Sequence, residues 1–217
     1  MSWTLRLCLE TRDHECSIFL TLTYADNALP EKLDYVDVQK FMRRLRKSSP
    51  NGVRFFCCGE YGKKTGRPHW HLMLYGVRPY RMGLCHIRQW PHGGVFIGGI
   101  TAASAAYTAR YSLKSGKRGD ENIVNMSRRP GIGLRRIKEI GSYLATVQPE
   151  IDYVPSWLRY GSRIYPLDRS AYDNFTSGYT ANGGVVLRTE KTPASYELEA
   201  SIISIVDRKS TRLNSSH

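Results

Sequence analysis

The chain predicts an α+β fold, an antiparallel sheet with helices packed against it. Three observations carry this reading. Segments of strand and helix character follow in the order strand, helix, strand, strand, helix, strand, helix. The two middle strands are joined by a short loop rich in Gly, Lys and Pro, as in a hairpin. The 217 residues suffice for one domain with a full core and a small appendage.

Residues 1–16 read as a short helix or an irregular lead-in, and the front end is expected to be truncated. Residues 17–24 (SIFLTLTY) are rich in β-formers and predict a central strand. A loop follows (ADNALPEK). Asp34 is placed to cap a helix over Tyr35–Lys47, with Val38, Phe41, Met42 and Leu45 on one stripe. Its other face carries Lys40, Arg43, Arg44, Arg46 and Lys47. These cations suit a solvated helix end, where the dipole favours them, or contact with a phosphate backbone.

Residues 53–60 (VRFFCCGE) predict the next strand, and YGKKTGRP the hairpin loop, with Lys63, Lys64 and Arg67 in it. The returning strand holds His69-Trp70-His71. Side chains alternate faces along a strand, so the two imidazoles project to the same side. Centring the hairpin on Lys64-Thr65 sets Glu60 opposite His69 and Cys58 opposite His71. Glu60, His69 and His71 then converge, and two imidazoles with a carboxylate form a divalent-metal site. The plainer alternative is a strand with one hydrogen-bonded histidine.

Residues 84–90 predict a short helix, and the glycine-rich run 94–100 (GVFIGGI) a strand. A helix is expected over 101–115, whose alanines favour it. On it Tyr107 and Tyr111 stack one turn apart, and Lys114 continues their face. A phenol, with pKa ~10, is a poor nucleophile at neutral pH. It can attack phosphorus if a metal drains charge from the phosphate and a lysine steadies it. Packing of the tyrosines on the sheet is the alternative. Residues 116–136 are very basic and read as a loop followed by a short helix, with Lys117, Arg118, Arg128 and Arg129 as candidate DNA contacts. From Tyr143 onward the pattern suggests short strands or coil, a peripheral flap rather than a separate domain, and 187–206 is mildly helical. The expected organisation is a core over 1–136, a peripheral segment over 137–206, and a tail, 207–217 (DRKSTRLNSSH), that matches a translated sequencing adapter and is set aside.

A formal charge of +13 points to a polyanionic partner, nucleic acid before an anionic membrane surface. Without Asp207, Arg208, Lys209 and Arg212 the remainder carries +11. The five cysteines include no CxxC pair, which disfavours a disulfide scaffold and fits a reducing compartment. No leader pattern and no apolar run of membrane-spanning length is present, so no membrane partner is expected. There is no GxxxxGK[ST] loop, hence no nucleotide cofactor, and no HExxH.

Four blocks together resemble one known family: FLTLTYADNALP at 19–30, RFFCCGEYGKKTGRPHWHLMLYG at 54–76, AAYTARYSLKSG at 105–116 and MSRRPGIG at 126–133. Spanning roughly residues 3–135, they are similar to the replication initiators of gokushovirus-type microviruses, within the HUH endonucleases. The resemblance implies a ferredoxin-like or RRM-like nuclease core of about five antiparallel strands, with the histidine strand central. It implies a rolling-circle initiator that nicks single-stranded origin DNA, stays on the 5′ end through a phosphotyrosine, and later rejoins the strand. By residue, it implies His69, His71 and Glu60 as ligands of Mg²⁺ or Mn²⁺, Tyr107 and Tyr111 as nucleophiles, and Lys114 as their helper. Host replication machinery and the cytoplasm of a bacterial host follow as partner and place. A transposase or relaxase of the same chemical class, a two-histidine, one-carboxylate iron oxygenase, and a non-catalytic single-strand binder remain the rival readings.

Overall fold

The computed structural model describes residues 2–49, 52–79, 81–111 and 123–188. It divides into two compact units: Asp13–Ile132, and Met1–Arg12 with Gly133–His217.

Asp13–Ile132 is built on strands β1 (Ser17–Thr23), β2 (Arg54–Tyr61), β3 (Pro68–Tyr75), β4 (Gly83–Ile87), β5 (Trp90–Gly99) and β6 (Val124–Met126). Their antiparallel order is β4-β5-β1-β3-β2-β6, six strands where the resemblance implied about five. The histidine strand β3 is central, between β1 and β2. Alternation along the strands sorts two faces. Leu20, Leu22, Trp70, Leu72 and Ile97 share one face, and helix α2 (Tyr35–Lys47) buries Val38, Phe41, Met42 and Leu45 in the same core. The Asp34 side chain caps α2 by accepting from the Val36 amide at 2.9 Å, as the sequence predicted. A buried polar chain crosses this core. The Trp70 indole donates to the Tyr24 hydroxyl (3.0 Å), which donates to Asp37 Oδ2 (3.0 Å). Each donor lost from water thus regains a partner.

Residues 84–90 are not helical: most of the segment is β4, followed by a tight turn into β5. Cys85 and Ile87 pack toward the core, whereas Leu84 and His86 are exposed. This period of two marks a strand, and seven residues are too few for a helical period to compete with it. Helix α3 (Ala102–Tyr111) begins with reciprocal bonds: Thr101 N to Ser104 Oγ at 2.8 Å, and Ser104 N to Thr101 Oγ1 at 3.1 Å. Residues 112–115 of the expected helix lie outside the described residues.

The other unit comprises α1 (Ser2–Thr11), α4 (Leu134–Val147), α5 (Arg169–Ala181) and four short strands: β7 (Glu150–Ile151), β8 (Trp157–Tyr160), β9 (Arg163–Pro166) and β10 (Val185–Val186). Its core includes Leu5, Leu9, Ile137, Ile140, Leu144, Phe175 and Tyr179. Asp168 caps α5 through the Ala171 amide (2.9 Å) and also pairs with the buried Arg6 at 3.1 Å. The β8–β9 hairpin falls where short strands were expected; α4 and α5 were not foreseen as helices of 14 and 13 residues.

Candidate metal and tyrosine site

The hairpin register sets Glu60 opposite His69 and Cys58 opposite His71, the pairing read from the sequence. All three candidate ligands project from the face opposite α2. Their ligand atoms lie within 4.8 Å of one another. Glu60 Oε2 stands 3.1 Å from His71 Nε2 and 3.3 Å from His69 Nε2. Two ligands on adjacent octahedral positions with bonds of ~2.1 Å stand ~3 Å apart, so this spacing fits a small divalent ion.

The outer nitrogens fix the rings. His69 Nδ1 lies 3.1 Å from the Arg67 carbonyl, which can only accept, so Nδ1 carries the proton. In the neutral ring Nε2 then turns a lone pair toward the Glu60 carboxylate. Such a contact calls for a positive species between the two groups. His71 Nδ1 lies 3.1 Å from Thr21 Oγ1, its cross-strand neighbour. Burial, and then the neighbouring His69, push the His71 imidazole down to about 4 against the pull of Glu60. It is therefore neutral near pH 7, the form that ligates metals. Phe19 stacks on the same ring, 5.5 Å between centroids at 19°.

Helix α3 lies on this face against β2, with Ala105, Thr108 and Ala109 buried and the Cys58 thiol 3.9 Å from the Thr108 carbonyl. These small side chains keep the helix close to the sheet. Tyr107 is thereby placed over the cluster: its hydroxyl donates to Glu60 Oε2 at 3.3 Å, and its ring meets His71 edge-on at 5.2 Å. The Arg110 guanidinium lies 5.6 Å from the Tyr107 ring centroid. One carboxylate oxygen thus faces two imidazoles and a phenol.

The other candidates are distributed as follows. Tyr111 closes α3, but its side chain lies outside the described residues, as do Lys114, Lys117 and Arg118. Lys63 and Lys64 are exposed in the hairpin loop. Arg67 ties that loop to the segment after β1, at 2.5 Å from Asp26 Oδ1 and 2.8 Å from the Tyr24 carbonyl. Arg128 and Arg129 are exposed beyond β6. Lys40, Arg43, Arg44 and Lys47 are exposed on α2, across the sheet from the cluster. Sequence reasoning missed Thr21, Phe19 and Arg110. The alternation of Phe19, Thr21 and Thr23 showed that they share a face, but only the β1–β3 register shows which.

Residues 17–116 match the ORF2-type family of replication-associated proteins. Over 159 residues the chain is 30% identical to the replication-associated protein VP4 of Bdellovibrio phage phiMH2K, covering 60% of this chain and 50% of that protein. It is 31% identical over 129 residues to the replication-associated protein ORF4 of Chlamydia phage 1, covering 49% and 32%. It is 30% identical over 142 residues to the replication-associated protein ORF2 of Spiroplasma virus 4, covering 52% and 43%. These matches bear out the resemblance to phage replication proteins. The chain spans between a third and a half of the length of these relatives. No solved structure matches it. Among the described residues no helix is long and apolar enough to cross a membrane.

The Thr21 contact gives a test of ring orientation that needs no catalysis. Outer-shell partners of ligating histidines contribute roughly 10–100-fold in metal affinity. Thr21→Val is expected to weaken Mn²⁺ binding by that order in an EPR titration. Unchanged affinity would leave Thr21 as a sheet residue only.

Proposed function

We propose that the protein nicks and rejoins single-stranded DNA, and that it thereby starts rolling-circle replication of a small single-stranded DNA phage. The observation that carries this is the Tyr107 hydroxyl, 3.3 Å from the carboxylate oxygen that also faces His69 and His71. The match to phage replication-associated proteins supplies the DNA context.

Glu60, His69 and His71 would hold the ion, Mg²⁺ or Mn²⁺. When bound, it withdraws charge from the scissile phosphate and eases departure of the leaving oxygen. The remaining steps belong to the chain. Tyr107 or Tyr111 presents its phenol oxygen to phosphorus, and the phenol proton of Tyr107 leaves along its hydrogen bond to Glu60 Oε2. The new bond is tyrosine oxygen to phosphorus; the bond broken is phosphorus to the 3′ oxygen, which takes up a proton. The 5′ end stays on the protein as a phosphotyrosine, and no water is consumed. The second tyrosine repeats the exchange after one round of synthesis, and reversal rejoins the strand. Lys114 steadies the phosphate. Lys63 and Lys64, exposed beside the Glu60–His69 end, and Lys117, Arg118, Arg128 and Arg129 hold the backbone of the origin strand, with Arg67 bracing the hairpin loop that carries two of them. Host replication proteins act on the freed 3′ end in the bacterial cytoplasm, with no nucleotide bound by this chain.

The test is a covalent adduct. Incubation with Mn²⁺ and fragments tiling the viral strand is expected to give a protein–DNA band resistant to denaturation. Tyr107→Phe and Tyr111→Phe should differ in first cleavage and in rejoining, and the double variant should form no adduct. Absence of adduct with every fragment would end the nuclease reading. Loss of binding alone in both single variants would make the tyrosines base-stacking residues.

A further inference from the structure

The cations of α2 and the ligand cluster occupy opposite faces of one sheet. The helix shares its core with Leu20, Leu22, Trp70 and Leu72, whereas Thr21, His69 and His71 point the other way. Lys40, Arg43 and Lys47 lie at i, i+3 and i+7, one exposed row about 10 Å long at 1.5 Å per residue. None of the three forms an ion pair among the described residues. Like charges at this spacing repel. The helix dipole favours cations in the last turn, where Arg44, Arg46 and Lys47 stand. It does not account for Lys40 and Arg43 farther back, or for exposed Arg88 in the turn between β4 and β5.

Two hollows flank the row. One, about 460 Å³, is lined by Arg44, Lys47 and Arg88 among others. The second, about 570 Å³, is lined by Arg43, Arg46 and Lys47 among others, so Lys47 borders both. A cationic ridge with a cation-lined hollow on each side suits a polyanion whose charges repeat at fixed intervals. The nearest rings, Tyr35 and Phe55, are packed against the core. With no ring presented for stacking, this face can grip a phosphate backbone but not unpaired bases.

We propose that this face binds the backbone of duplex DNA flanking the scissile strand, a second DNA segment held apart from the metal and tyrosine site. It rests on the nicking reading for the identity of the polyanion. A sheet and a helix layer, on the order of 10 Å of packed side chains, separates the two surfaces, so one short single strand cannot touch both.

The test is anisotropy of a labelled blunt duplex with the full chain in EDTA, so that no chemistry occurs. Over about 50 to 200 mM salt with ~20 base pairs of arbitrary sequence, wild type is expected to bind with a steep salt dependence. The K40Q/R43Q/K47Q variant, checked for an unchanged thermal melt, should bind about tenfold or more weakly at low salt, with a slope of log K against log salt smaller by about 2–3. K40R/R43K/K47R should restore both. Wild-type affinity and slope in the triple Gln variant would overturn the proposal, as would no duplex binding by wild type. Displacement of the duplex by poly-glutamate at equal charge would assign the face to an acidic polypeptide instead. Duplex binding without any covalent adduct would sink the nicking reading and leave this one standing; an adduct with duplex binding untouched by the triple variant would do the reverse.

Discussion

Glu60→Gln is expected to lower covalent adduct formation by about 10³-fold or more. The same oxygen, Oε2, faces His69 Nε2, His71 Nε2 and the Tyr107 hydroxyl, so one substitution touches the ion, both imidazoles and the nucleophile. The amide keeps the side chain's shape but removes the negative charge that holds a divalent cation. It also removes the carboxylate toward which the phenol proton moves. Metal-free stability should not fall, because the His69 lone pair no longer meets a carboxylate across 3.3 Å. The measurements are adduct yield at several Mn²⁺ concentrations and the thermal midpoint in EDTA. His71→Ala is the companion, expected to lose cleavage with single-strand binding retained. Full adduct yield in either variant would remove the metal assignment. Imidazole-rich sites prefer borderline ions, so Mn²⁺ should support the reaction at lower concentration than Mg²⁺.

The site was legible because its parts are local. A hairpin loop of known centre fixes register, and register with the period of two fixes which side chains meet; this brought Glu60, His69 and His71 together before any coordinates. Helix α2 was legible for a similar reason, its cap and stripe both lying within one segment. What could not be read is non-local. Alternation sorts the sheet into two faces but does not say which helix covers which. The cations of α2 therefore looked like part of the active surface, and they lie behind it. Thr21 could not be linked to His71 without the β1–β3 pairing, fifty residues apart. Arg67, read as a DNA contact, has its guanidinium on Asp26 and the Tyr24 carbonyl. Helix α5 (RSAYDNFTSGYTA) was missed because Ser, Asp, Asn, Thr and Gly all disfavour helix interiors; packing of Ala171, Phe175 and Tyr179 against α4 overrides that preference. In α4 the spacing of Ile137, Ile140 and Leu144 carried the signal, broken to the eye by Gly141.

That glycine is one half of the closest helix contact in its unit, and Gly178→Ala is expected to destabilise the unit by about 3 kcal/mol. A Cβ on Gly178 would stand 2.0 Å from the Lys138 carbonyl oxygen, and one on Gly141 2.2 Å from that of Phe175. Both obstacles are helix backbone, which cannot rotate away as a side chain tip could. The helices would have to separate, opening the layer of Ile137, Ile140, Leu144, Phe175 and Tyr179. Bonds from Ser142 Oγ to the Gly178 carbonyl (3.2 Å) and from Asn182 to Ser142 Oγ (3.0 Å) would be lost with them. Propensity runs the other way, since alanine gains about 1 kcal/mol over glycine inside a helix. Crowding against backbone outweighs it here, which makes the sign of the result informative. The measurement is thermal unfolding by circular dichroism with proteolytic mapping, which should show new cleavage within 134–181. An unchanged or raised midpoint would mean that α4 and α5 do not cross at these two glycines.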